Sequence, residues 1–204
     1  MIMMEIRNLK WLEMISGDEV LYGLDQKWYG QRFRKNAGCA PVTAATLLLY
    51  MNKRESGPLR YDNTDMENAA LILDDVWEFV RPGLMGLYNI KKFVKGIHNL
   101  CGHYGVNWEC RYMKSNKNTL TSEAAEFIKS GIGSDCPVAF LNLHEGAITE
   151  FEGWHWFVLT GIRSEEGIYI ASGIDGGKQM EFNLTKWMKS TRFGGGFVYI
   201  RTKT

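Results

Sequence analysis

The hydrophobic period changes once along this 204-residue chain, near residue 105, and that change narrows the choice of fold more than any other feature. Up to about residue 105 apolar residues recur at helical spacing. Beyond it they gather in short runs rich in β-formers: PVAFLNL (137–143), WHWFVLTGI (154–162), GIYIAS (167–172), QMEF (179–182) and GFVYI (196–200). Helices first and antiparallel strands second is an α+β pattern. It predicts one domain, with a helical lobe over about 1–105 and a mainly β lobe over about 106–204.

Within the first part, Ile6, Leu9, Leu12 and Ile15 predict a short helix over 5–15. A second helix is predicted over 39–51, where Pro41 falls in the first turn and its missing N–H is not needed. Thr64 and Glu67 form a capping-box pattern for a helix running to about 80, stopped by Arg81-Pro82-Gly83. Another helix is predicted over 87–103. In the second part a strand is predicted over 106–112, and helices over 122–129 and 184–190. The basic residues Arg32, Arg34 and Lys35 read as a solvated loop before the second helix.

Composition matters here for what it excludes. A net charge of +1 gives no basic surface that would recruit nucleic acid. No apolar run approaches the ~20 residues of a membrane span. The start carries scattered charges and lacks the pattern of a signal peptide. Four cysteines, at 39, 101, 110 and 136, show no C-x-x-C spacing, so free thiols and a cytoplasmic location are expected. His98, Cys101 and His103 do not share one helix face and lack a fourth partner, so no metal site is expected, and no cofactor.

The chemistry concentrates on Cys39. It opens a helix directly after Gly38, where unpaired N–H groups and the helix dipole favour a thiolate. Its own N–H is placed to meet a developing oxyanion. Cys101 lies in an apolar helix pattern, Cys110 in a strand, and Cys136 before Pro137, and all three read as buried thiols. A base is offered by His155, a polar ring in a strongly apolar strand that needs a partner. Trp154 and Trp156 flank it on the opposite strand face and read as core. Glu165-Glu166 and Asp74-Asp75 read as solvated pairs.

Taken in order, GCAPVTAATLLLYM, PVAFLNL, GWHWFVLTGI and the closing GGGFVYI resemble papain-like cysteine peptidases, and among them the bacterial group related to the bacteriocin-leader peptidases. In that group a G-C-G-P-[TA] segment opens the first core helix, and a G-H-[WY]-V-V-[IV]-[TV]-G strand carries the histidine. The resemblance covers roughly residues 22–200. It implies a helical lobe bearing Cys39 against an antiparallel sheet bearing His155, with a peptide or protein substrate bound in the cleft between them. It implies Cys39 as nucleophile, His155 as base and then acid, and a glutamine beside the Cys39 N–H as oxyanion donor. Gln26, in GLDQKWYG, and Gln31, in YGQRF, both precede the cysteine, and Gln26 better matches the family's Q-x-W arrangement. The group that orients His155 is open in the same way. A hairpin turn centred on Glu165 sets Asp175 opposite His155, yet Asp175-Gly176-Gly177 is also a turn signal in its own right. Alignment by motif offers Ser172 instead, and a dyad without a third member is the remaining choice. The same fold hosts amidases, deamidases and acyltransferases, and an inactive binding module is a further alternative. Substrate sequence and oligomeric state are not encoded in these motifs.

Overall fold

The computed structural model of the chain describes residues 2–59, 66–150 and 152–203. Its element order starts with strand β1 (Ile2–Glu5), a 3₁₀ turn at Leu9–Leu12, and a hairpin of β2 (Glu13–Ser16) and β3 (Glu19–Tyr22). A second 3₁₀ turn, Gln26–Trp28, leads to helices α1 (Arg32–Ala37), α2 (Cys39–Glu55), α3 (Met66–Phe79) and α4 (Ile90–Tyr104). There follow β4 (Trp108–Ser115), α5 (Thr121–Gly133), β5 (Val138–Asn142), β6 (His155–Glu165), β7 (Ile168–Asp175), β8 (Lys178–Asn183), α6 (Leu184–Ser190) and β9 (Gly195–Thr202). The mixed α and β content, with an antiparallel main sheet, agrees with the α+β reading.

Most predicted elements of the second part are present, and the predicted helices over 39–51 and 87–103 correspond to α2 and α4. The helix predicted over 5–15 is not formed. Leu9 and Leu12 sit in the 3₁₀ turn, and residues 13–22 form a hairpin around Gly17 (φ 61°) and Asp18. The neighbours Met14 and Ile15 part company: Met14 is fully buried and Ile15 is exposed, which a strand satisfies by pointing them to opposite faces. The first lobe is therefore not purely helical, and β1 belongs to the main sheet. The capping residue Thr64 lies outside the described residues, as does the Glu67 side chain. The basic run is no loop: it forms α1, where Arg34 pairs with Asp74 and lies 4.8 Å over the Trp77 ring.

The main sheet runs β4-β9-β5-β6-β7-β8. Strand β6 is its longest, at eleven residues. Along one edge it pairs first with β5 (Asn142 beside His155) and then with β1 (Ile2 beside Ser164). Along the other edge it pairs with β7. Helix α2 lies against β6, β5 and β9. It is buried from Ala40 to Asn52, so it is not an amphipathic surface helix but the central rod of the molecule. One continuous apolar core runs through both parts. Phe140 lies at its centre, touching the rings of Phe157, Phe182, Trp187 and Phe197.

Candidate active site

Cys39 is the first residue of α2, and the residue before it explains how two helices can meet there. Gly38 has an ordinary helical conformation (φ −83°, ψ −3°), so it is not needed for its freedom of rotation. It is needed for space. A Cβ at Gly38 would stand 2.4 Å from the Arg34 carbonyl oxygen and 2.8 Å from the Tyr29 ring. The tight passage from α1 into α2 leaves the Cys39 N–H among the unpaired groups of a 17-residue helix, where partial positive charge accumulates. The Cys39 side chain is half-buried at the edge of a cleft of about 300 Å³.

His155 is the first residue of β6 and faces the same cleft. Its Nε2 is hydrogen-bonded to Oδ1 of Asp175 at 2.8 Å, which leaves Nδ1 for the Cys39 thiol. The ring is largely enclosed (16% exposed), whereas the Asp175 carboxylate is 42% exposed. Burial alone would push the imidazole down. The hydrogen bonds to Asp175 and Cys39, and the electrostatic attraction of the same two groups, outweigh burial and push it up to about 10. An imidazolium held between an acid and a thiol is thereby favoured across the neutral range.

The register that brings Asp175 there differs from the simple hairpin expectation. The turn is Glu166-Gly167, both with positive φ, and not a turn centred on Glu165. A bulge between Leu159 and Gly161 then shifts the pairing, so that Val158 stands beside Ile174. Continued along the strands, this sets Asp175 level with Phe157 and Gly177 level with His155. Asp175 therefore reaches His155 as a diagonal neighbour on the same face, a distance that two medium-length side chains can span. The turn-forming and histidine-facing readings of Asp175 are compatible. Gly176 and Gly177 take φ of 53° and 79° as the central residues of the β7–β8 turn, and Asp175 precedes them. Ser172 stands beside Gly161 and donates to Glu181 at 3.2 Å, away from the cleft.

Gln26 lines the cleft with Cys39 and His155. Gln31 does not: it precedes α1 and borders a separate depression with Arg34, Asp74 and Glu78. The Gln26 Oε1 is buried and has no hydrogen-bond partner among the described residues. An orphaned buried amide costs about 1–3 kcal/mol. The segment before it is strapped from both sides. Tyr22 N–H donates to the Gly177 carbonyl at 2.8 Å, and Leu24 N–H donates to Thr46 Oγ1 on α2 at 3.2 Å. Asp25 then caps the 3₁₀ turn by accepting from Lys27 N–H at 2.9 Å. One short strap thus ties the turn after Asp175 to the helix of Cys39 and ends at Gln26.

A second knot holds the approach to His155. Asn142, fully buried and directly opposite His155, donates to the Glu152 carbonyl at 2.8 Å. It accepts from Trp187 Nε1 at 2.9 Å and from His144 N–H at 3.2 Å. Neither Asn142 nor Thr46 was picked out from the sequence. A lone amide in PVAFLNL and two threonines, Thr43 and Thr46, in an apolar helix are the available signals. Trp154 departs from expectation: it precedes the strand, takes φ 61°, and is 57% exposed, while Trp156 is buried and stacks on Phe93 at 4.2 Å. Positive φ in a bulky residue costs roughly 1–3 kcal/mol.

The remaining cysteines stand apart from this cleft. Burial pushes the Cys101 thiol up to about 11, and pushes Cys110 and Cys136 up as well; Arg54 donates to the Cys136 sulfur without reversing that direction. His98 Nε2 accepts from Cys110 N–H, and His103 packs against Phe79. Among the described residues no three His, Cys, Asp or Glu side chains are grouped to hold a metal ion, and no helix is long and apolar enough to cross a membrane. Compared with models of known protein families, the sequence matches none, and no curated protein matches it significantly.

Proposed function

We propose that this chain is a cysteine peptidase of papain-like type, hydrolysing a peptide bond or a related amide through a Cys39 thioester. The observation that carries the proposal is the convergence, in one cleft, of a cysteine at a helix N-terminus and a histidine hydrogen-bonded to an acid. The bacterial leader-peptidase group is the branch its motifs resemble, and a cytoplasmic setting fits four free cysteines.

In this reading the Cys39 sulfur attacks the substrate carbonyl carbon. His155 holds the thiol proton and delivers it to the leaving nitrogen as the carbon–nitrogen bond breaks. Asp175 keeps the imidazole oriented and supports its positive form. The negative oxygen of the tetrahedral intermediate is met by the Cys39 N–H and the Gln26 side-chain amide, fixed donors that need no reorganisation. Water, deprotonated by His155, then attacks the thioester carbon, and the acid product leaves with release of the thiol. The orphaned Gln26 oxygen supports this role, because an amide held at a cost in a cleft wall is explained by work done with its other end.

The test is alkylation of the native protein with limiting iodoacetamide at pH 6 to 9, with the labelled site read by mass spectrometry, beside His155→Ala. Cys39 should label at least tenfold faster than Cys101, Cys110 or Cys136 at pH 6, and the substitution should remove most of that advantage. Equal rates, or indifference to His155, would sink the proposal.

A further inference from the structure

Three separate segments bring exposed apolar side chains together around Trp154, the residue before His155. A tight turn closed by mutual backbone hydrogen bonds between Gly83 and Gly86 (3.0 and 3.2 Å) lifts Leu84 and Met85 into solvent, 93% and 83% exposed. Tyr88 follows it. Its ring meets Trp154 edge-on at 5.8 Å and 86°, and Trp154 meets Phe193 at 6.3 Å. All three aromatics are more than half exposed. The shelf is anchored from beneath, because Trp156 Nε1 donates to the Leu87 carbonyl, so the segment that carries Tyr88 is pinned to β6. A depression of about 300 Å³ lies among Leu84, Met85 and Tyr88.

Large apolar side chains gathered on a surface mark a binding site more often than an accident of folding. Here the shelf adjoins the cleft along the chain, since Trp154 directly precedes His155, which lines the cleft. Trp154 is also held in a left-handed conformation that turns its ring outward, when the strand pattern alone would bury it.

We infer that this shelf receives the segment of an extended peptide on the leaving-group side of the cut bond, and selects a large apolar or aromatic residue there. The inference rests on the peptidase reading for its direction. His155 must reach the leaving nitrogen, so the chain beyond that nitrogen departs on the histidine side, where Trp154 stands. Trp and Tyr are the residues that most often anchor such contacts, because they bury much area while fixing few rotors.

The test uses the full chain with Cys39→Ala, which keeps the cleft and removes the nucleophile. A random library of peptides of about ten residues is selected on it, and the selected peptides are titrated by fluorescence anisotropy. Peptides with Trp, Phe, Tyr, Leu or Met at one fixed place should be enriched. Their affinity should fall about tenfold when Trp154→Gly is added, a change that also suits the positive φ. Tyr88→Ala serves as the second variant. In the active protein the same apolar residue should fall on the C-terminal side of the cut. No enrichment, unchanged affinity in both variants, or the apolar residue on the other side of the cut would overturn the inference. So would phosphatidylglycerol vesicle binding or self-association, lost with Trp154→Gly, in place of peptide binding. No turnover is needed for the binding arm, so it fails separately from the alkylation test. Fast His155-dependent alkylation without apolar selection keeps the enzyme and removes the shelf. Apolar selection beside an ordinary Cys39 does the reverse.

Discussion

His155 and Asp175 are bonded through Nε2 and Oδ1 at 2.8 Å although the sheet does not set them face to face. The bond is diagonal and depends on two departures from a plain hairpin: a two-residue turn at Glu166-Gly167 and a bulge after Leu159. Sliding the pairing by one residue would turn Asp175 to the other face of the sheet.

Replacing Asp175 with Asn removes the charge and keeps the shape. The His155 imidazole, held up at about 10 in the native protein, should fall toward the ordinary histidine value of about 6.5. Proton NMR titration of the ring, assigned by comparison with His155→Gln, measures this directly. A ring that still titrates near 10 in Asp175→Asn would mean that Cys39 alone supports it.

The same pair should make stability depend on pH. A histidine whose folded value is raised gives a contribution that is complete below about 6.5 and is lost as pH rises through about 10. The native protein should therefore exceed His155→Gln in urea stability by about 2 kcal/mol at pH 6, with the gap closing by pH 10.5. A gap that widens with pH would reverse the sign and contradict the pairing.

Gln26→Ala should separate activity from stability. On the proposed peptidase reading, turnover of a cleaved peptide should drop on the order of 100-fold through loss of an oxyanion donor. Stability should hold or rise, because the buried oxygen without a partner goes with the side chain. Gln31→Ala, on a surface away from the cleft, should change neither. Peptide turnover and urea melts of the two variants decide this.

Thr46→Val removes the hydroxyl that accepts from Leu24 N–H and keeps the volume. The buried N–H is then stranded, at a cost of about 1–3 kcal/mol, and the strap that ends at Gln26 loosens. Thr46→Ser should restore most of both stability and activity. Rescue of stability without rescue of activity would show that the strap does not position Gln26.

Elements whose own residues carry the signal were legible in the sequence. Helix α2 announces itself through Gly38, Cys39 and Pro41, and β5, β6 and β9 through their runs of β-formers. The failures share one cause, which is that long-range pairing decided between local patterns of similar strength. Ile6, Leu9, Leu12 and Ile15 fit a helix as written, but Gly17-Asp18 between two short apolar runs was the competing signal, and burial of Met14 favoured it. Trp154 reads as strand core by alternation, whereas β6 begins only at His155. At the candidate site, the choice between Gln26 and Gln31 needed the chain path around Thr46. The choice between Asp175 and Ser172 needed a bulge that no residue between Leu159 and Gly161 announces on its own.

Strand β1 also constrains how the protein can be made. Ile2 pairs with Ser164 and Glu5 with Gly161, so this strand is synthesised well before its partner and finds its place only after more than 150 further residues have followed. His155 and Asp175 emerge more than 100 residues after Cys39, and the strap from residue 22 must wait for Gly177. This part of the chain therefore cannot fold piece by piece in sequence order: β1 and the strap wait for β6 and for Gly177. A nascent chain that displays Cys39 lacks its histidine and its acid. The cleft closes around all three together only once Gly177 has followed them and the strap from Tyr22 has found its partner.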